Sequence, residues 1–195
     1  PDGRRIVIGW LDMWESPMPE QQDGWAGMLS LPRELSLSED NRLQMRPAKE
    51  VECLRRAWFP WPVSTVKNQQ LLMVENCDAM EVILHWDCAN STAEQYGLSF
   101  GDGLRVYVDA QMQRLVLERH YPQYGLCGVR SVPLTAAAPL KLRLFFDSSS
   151  VEVFVNDGEA CLSSRIYPDA SRRELSLFAW SGTALLSEGG AWQLE

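Results

Sequence analysis

The sequence is short of histidine, of patterned cysteine, of long apolar runs and of positive charge, and each shortage closes off a class of function. Two histidines in 195 residues, His85 and His120, are too few for a metal cluster. Neither lies in a nucleophile-base pattern such as a Gly-x-Ser-x-Gly elbow, so both read as core-edge or surface residues. The five cysteines, Cys53, Cys77, Cys88, Cys127 and Cys161, are odd in number and scattered, with no Cys-x-x-Cys pair. That excludes a disulfide frame or zinc site and points to free buried thiols in a reducing cytoplasm. No apolar run approaches the ~18 residues of a spanning helix, and no basic-then-apolar signal opens the chain. With 18 Lys+Arg against 26 Asp+Glu the net charge is −8, which repels phosphate backbones and anionic lipid. Neither nucleic acid nor a membrane surface is expected as a partner.

What is present is the balance of an ordinary water-soluble protein, 46% hydrophobic and 23% charged. The chain begins on a turn, Pro1-Asp2-Gly3, and runs into a strand without an initiator Met, so its start looks cut. "RRIVIGW" (4–10) reads as a buried strand, "LDMWESPMPEQQDG" as a long loop, and "WAGMLSL" (25–31) as a second strand. "ELSLSEDNRLQMRP" reads as a hairpin with Leu35, Leu37, Leu43 and Met45 on one face and Glu39-Asp40-Asn41 at its turn. Four short strands in about 45 residues match one propeller blade, which cannot bury its own faces and is expected to be sticky. "PAKEVECLRR" (47–56) is expected to be the one helix, with Ala48, Val51 and Leu54 as its apolar stripe and Arg55-Arg56 at its C-terminal end. Beyond it, many short alternating strands with Gly/Asp/Asn turns and no intervening helices predict an antiparallel β-sandwich over 57–195.

Several residues have a structural reading to weigh beside a chemical one. Asp157, in "VEVFVNDGEA", could be a carboxylate on a tight loop. Along that strand Val151, Val153 and Val155 share one face and Glu152 and Phe154 the other. Asp157-Gly158 then supplies the two positive-φ positions of a type I′ hairpin, so Asp157 is read as a corner and not an acid catalyst. "GDG" (101–103) and "EGG" (188–190) read as turns, without the strand-then-helix context of a phosphate loop. Glycoside hydrolysis needs two facing carboxylates, which draws attention to Asp12, Glu15, Glu20 and Asp23 in the first loop. A solvated acidic loop explains them as well. The same loop holds Trp10 and Trp14, with Trp25 just beyond; Trp14 is balanced between packing and contact with a sugar ring. Trp58, Trp61, Trp86 and Trp180 lie in apolar runs and are expected to be buried.

"RRIVIGWLDMW", "GWAGMLSLPREL", "RPAKEV…LRR" and "LRLFFDSSSVEVFVNDGEACLSSRIYP" resemble, in that order, the C-terminal part of family 32 glycoside hydrolases. Among these the likeness is to bacterial cytoplasmic sucrose or sucrose-6-phosphate hydrolases. The resemblance runs from Arg4 to the C-terminus. It implies an all-β fold in which a five-bladed propeller precedes a β-sandwich: here the last blade (1–46), a linker helix (47–56) and the sandwich (57–195). It implies retaining β-fructofuranosidase chemistry with sucrose or sucrose-6-phosphate as substrate and no cofactor or metal. The family's nucleophile, transition-state stabiliser and acid/base lie in Asn-Asp-Pro-Asn-Gly, Arg-Asp-Pro and Glu-Cys motifs. None of these is here: "VNDGE" lacks the proline and sits in a sandwich hairpin, and Glu52-Cys53 sits in the linker. No catalytic residue is therefore assigned, the chain is expected to be inactive alone, and Trp14 is implied to line the sugar pocket of the complete enzyme. An antiparallel sandwich with eight Trp could instead be a carbohydrate-binding module. The open edge and unburied face of residues 1–45 predict a homodimer or larger assembly.

Overall fold

Alternation of period two decides the architecture, and the computed structural model, which describes residues 2–12, 15–135 and 137–195, is all-β apart from four short 3-10 turns. The first five strands are β1 (Arg5–Val7), β2 (Trp10–Leu11), β3 (Met28–Leu29), β4 (Arg33–Leu37) and β5 (Leu43–Pro47). They form a three-stranded sheet of order β1-β4-β5 and a separate pair, β2-β3. The β4–β5 hairpin has the expected register, Leu35 opposite Met45 and Leu37 opposite Leu43. The turn closes through Ser38 and Arg42, with Asn41 at positive φ. The expected burial of 4–10 is not found: all three residues of β1 are exposed.

Residues 47–56 do not form an α-helix. A 3-10 helix spans Lys49–Leu54 and Arg55 already belongs to the next strand. The apolar positions 48, 51 and 54 recur every three residues, the 3-10 period rather than the α period. Ala48 and Val51 are buried, while Leu54 is exposed.

Eleven strands follow: β6 (Arg55–Pro60), β7 (Thr65–Val74), β8 (Met80–Trp86), β9 (Gln95–Phe100), β10 (Leu104–Asp109), β11 (Arg114–Tyr121), β12 (Leu126–Pro133), β13 (Leu140–Phe146), β14 (Ser150–Val155), β15 (Ala160–Arg165) and β16 (Leu175–Leu194). All their pairings are antiparallel. β16 runs through two layers. Its first half pairs with β7 and β9 and its second half with β6 and β8, with register shifts near 179–183 and 186–188. One layer is thus β7-β16-β9-β10-β11-β12 and the other β6-β16-β8-β13-β14-β15. Trp86 meets Tyr96, and Phe100 meets Phe146, each pair with ring centroids 5.2 Å apart across the layers. Leu84, Leu115, Leu117, Leu144, Val151 and Val153 are fully enclosed in the same core. Two layers of half-apolar strands bury their faces against each other, as a β-sandwich must.

Three local expectations are corrected. Glu188–Gly190 is not a turn but lies inside β16, beside its second bulge. The β14–β15 hairpin pairs Val155 with Ala160, leaving four residues in the loop, of which Asn156, Asp157 and Gly158 all have positive φ. It is therefore longer than a two-residue type I′ turn. Lastly, the thiols are free but not uniformly buried. Cys77 is enclosed, and burial pushes its thiol up to about 12. Cys53 and Cys127 are exposed.

Candidate functional site

The first loop is flanked by β2 and β3, and Trp10 and Trp25 on either side of it sit at the surface. Trp10, on β2, pairs with Leu29 and is 44% exposed; Trp25 is 48% exposed. Gly27 has φ +72°, and a Cβ there would lie 2.3 Å from Trp10 Nε1 and 2.8 Å from Asp12 Cβ. Only glycine lets the chain pass this closely under the indole. Trp14, the residue implied for sugar contact, lies outside the described residues.

The four loop acids separate by environment. Glu15 and Asp23 are exposed, Asp12 is half-buried and Glu20 is buried. Glu20 is thus not part of a solvated acidic loop. It begins a short 3-10 turn (Pro19–Asp23) that delivers the carboxylate to the end of β15. There Arg165 Nη1 donates to Glu20 Oε1, and Tyr167 donates its hydroxyl to Oε2 at 2.7 Å. The remaining guanidinium hydrogens go to the Ser149 carbonyl and hydroxyl, both at 3.0 Å, and to the Leu11 carbonyl at 3.4 Å. Burial works to raise the Glu20 pKa, but the hydrogen bond from Tyr167 and the charge of Arg165 outweigh it and hold the carboxyl below its ordinary range. A carboxylate held ionised and fully ligated is a fastener and a poor proton donor.

A second fastener lies on the outer face of β14. Glu152 accepts from the Leu31 N–H at 2.6 Å and from Arg33 Nη2, which also reaches Ser163 Oγ at 2.6 Å. Arg33 also lies over the Phe154 ring. This explains why all six residues of β14 are buried: the valine face meets the sandwich core, and the Glu152/Phe154 face is covered by Leu31, Arg33 and Val51. The hairpin tip makes a third contact, where the Asp157 carbonyl accepts from Arg46 Nε on β5 while its exposed carboxylate pairs with Lys141 at 3.3 Å. Asp157 is a docking corner, as its turn position predicts. Near the linker, Glu81 is fully enclosed between Arg55 and Arg143, at 2.7 Å from each.

The histidines make separate pairs: His85 Nδ1 lies 2.9 Å from Glu188, and His120 Nδ1 3.5 Å from Cys127 Sγ. Among the described residues no cluster of His, Cys, Asp or Glu has the composition to hold a metal ion. Sequence reasoning missed these buried ion pairs. The available signal was Arg165 and Tyr167 two apart, which places them on one face of a strand end. Of the tryptophans, Trp61 and Trp86 are buried and Trp58 partly so. Trp180 is not: it is 39% exposed.

Comparison with known proteins places this geometry among relatives. A profile described as "Glycosyl hydrolases family 32 C terminal" matches residues 50–193, and one described as "Glycosyl hydrolases family 32 N-terminal domain" matches residues 1–47. A sucrose-6-phosphate hydrolase of Escherichia coli is 54% identical over 193 residues, covering 99% of this chain and 40% of that protein. A raffinose invertase of Escherichia coli is 52% identical with the same coverage. The chain therefore spans well under half the length of these curated relatives. Among solved structures, an exo-inulinase from Aspergillus awamori superposes with a TM-score of 0.83 at 20% identity, over 97% of this chain and 40% of that one. A Bombyx mori GH32 beta-fructofuranosidase superposes with a TM-score of 0.72 at 28% identity, over 100% of this chain and 39% of its own.

Proposed function

Because the chain belongs to glycosyl hydrolase family 32, we propose that it serves as the C-terminal part of a β-fructofuranosidase that hydrolyses sucrose or sucrose-6-phosphate with retention. The observation that carries this reading is the 54% identity to a sucrose-6-phosphate hydrolase along 99% of the chain. In this reading residues 1–46 form the last blade of the propeller, 47–56 the linker and 57–195 the supporting sandwich. The nucleophile and proton donor, which a retaining mechanism needs about 5 Å apart, belong to the preceding blades. Trp14 contributes one wall of the sugar pocket. The enzyme works in the cytoplasm without a cofactor.

The chain's own part is structural. The Glu20–Arg165–Tyr167 and Arg33–Glu152 contacts fix the first segments of the chain on the sandwich. The exposed Leu37 and Leu43, cross-strand neighbours on one face of the β1-β4-β5 sheet, form a face against which the rest of the propeller packs. Where the chain stands alone, the same face pairs two copies into a homodimer.

The test is release of glucose and fructose from sucrose. The 195-residue chain alone is expected to release neither. Joined behind the preceding segment of the Escherichia coli sucrose-6-phosphate hydrolase, it is expected to support hydrolysis, and Trp14→Ala in that hybrid is expected to raise KM. Turnover by the chain alone, or a folded hybrid with no turnover, refutes the proposal.

A further inference from the structure

The outer face of the β7-β16-β9-β10-β11-β12 layer carries a second aromatic cluster. A half-solvated antiparallel sheet ordinarily presents polar residues there. Here cross-strand register sets Gln70, Phe178, Gly97, Tyr107, Val116 and Ser131 in one row. Phe178, Tyr107 and Val116 are buried together, apart from the main core. Gly97 lies between the two rings; a Cβ there would be 2.2 Å from the Val106 carbonyl and 2.9 Å from Tyr107 Cβ.

Trp180, two residues along from Phe178, extends the cluster into solvent. Its ring lies 4.5 Å from that of Phe178, and the Arg105 guanidinium sits 5.0 Å from its centroid. Arg105 is in turn paired with Glu118 at 2.5 Å. Gln70 donates to Ser99 Oγ at 3.2 Å. A groove of about 440 Å³ opens among these groups, lined by Gln70, Asp102, Arg105, Glu118, His120 and Trp180, among others.

We propose that this groove is a binding site for a neutral oligosaccharide. The volume lies in the range of small-ligand sites, which place a few directed polar groups beside aromatic surface. An exposed indole offers an apolar face to the C–H bonds of a sugar ring. The amide of Gln70, the carboxylate of Glu118 and the guanidinium of Arg105 are planar groups suited to adjacent hydroxyls. Charge argues against a phosphorylated ligand. Among the described residues that line the groove the one arginine, Arg105, is matched by Glu118, and the carboxylate of Asp102 adds negative charge beside it.

The test is calorimetric titration of the 195-residue chain with sucrose, raffinose, 1-kestose and sucrose-6-phosphate. No hydrolysis is needed, so failure here leaves the enzymatic reading untouched, and the reverse. Raffinose or 1-kestose is expected to give a saturable signal, weakened about tenfold or more in Trp180→Ala. Glu118→Gln, which retains a planar hydrogen-bonding group, is expected to weaken it less. Unchanged circular dichroism and melting show that each variant folds. Sucrose-6-phosphate is expected to bind no more tightly than sucrose. The site is refuted by absence of saturable binding of all three neutral sugars, by full binding in Trp180→Ala, by loss in Trp14→Ala instead, or by a clear preference for the phosphorylated sugar.

Discussion

The sandwich keeps Leu84, Leu115, Leu117, Leu144, Val151 and Val153 at 0% exposure, whereas β1, the first loop and the β4–β5 hairpin leave Ile6, Ile8, Trp10, Trp25, Leu37 and Leu43 between 44% and 64% exposed. Both regions are antiparallel β, and they are held by different forces. The two sandwich layers bury apolar side chains against each other, so their stability is largely self-supplied. Residues 2–47 have little core of their own and are held on the sandwich by buried charge pairs, by backbone hydrogen bonds and by the packing of Met18 and Leu31. Their stability therefore depends on the second region and on the charge of Glu20, while the larger part of the sandwich core is apolar.

The sharpest way to break this contrast is Glu20→Ala, which leaves Arg165 charged and unpaired in a nearly closed site. Removing one partner of a buried pair costs about 3–5 kcal/mol. The loss should appear as hydrogen exchange and proteolysis in residues 2–47, with the sandwich amides still protected. Equal loosening of both regions contradicts the division. Leu144→Ala should do the opposite: about 2–5 kcal/mol lost from the sandwich itself, read as a lower urea midpoint for the whole molecule.

Acidification separates the regions without mutation. Glu20 titrates below its ordinary value of 4.5, so its contribution is complete above that value and is lost as pH falls through the folded pKa. Limited proteolysis from pH 7 downward is expected to cut residues 2–47 before the sandwich amides lose protection. Simultaneous opening runs against the comparison. The smallest effect is expected for Leu37→Ser, at 64% exposure, which should change stability by no more than about 0.5 kcal/mol. It should nevertheless shift sedimentation toward monomer if copies pair through this face.

Much of the strand order was legible because alternation records which face of a strand is wet. "LKLRLFF" and "VEVFV" became β13 and β14, and Leu35, Leu37, Leu43 and Met45 fell opposite one another as their spacing predicts. β6 was hidden by Pro60 and Pro62 and by the linker's period of three. As an outer strand pairing only with β16, it tolerates Pro60 at its end. β16 carries Ser181-Gly182 and Glu188–Gly190, stretches whose composition resembles turns, yet they are bulges within one strand that changes layers. At the candidate site, the corner position of Asp157 was readable. The burial of Glu20 was not, because its partner lies 145 residues away.

By itself the sequence determined that the chain is all-β, where its hairpins turn and which side chains along each strand share a face. These follow from local sterics and from the two-residue repeat of the pleat. Only the tertiary structure decided that Glu152 and Phe154 are covered, that Glu20 is an ionised fastener and that Trp180 stands in solvent. A strand's pattern states that a face is apolar or charged, but what lies against it is set by segments distant in sequence, and burial and pKa are properties of that contact.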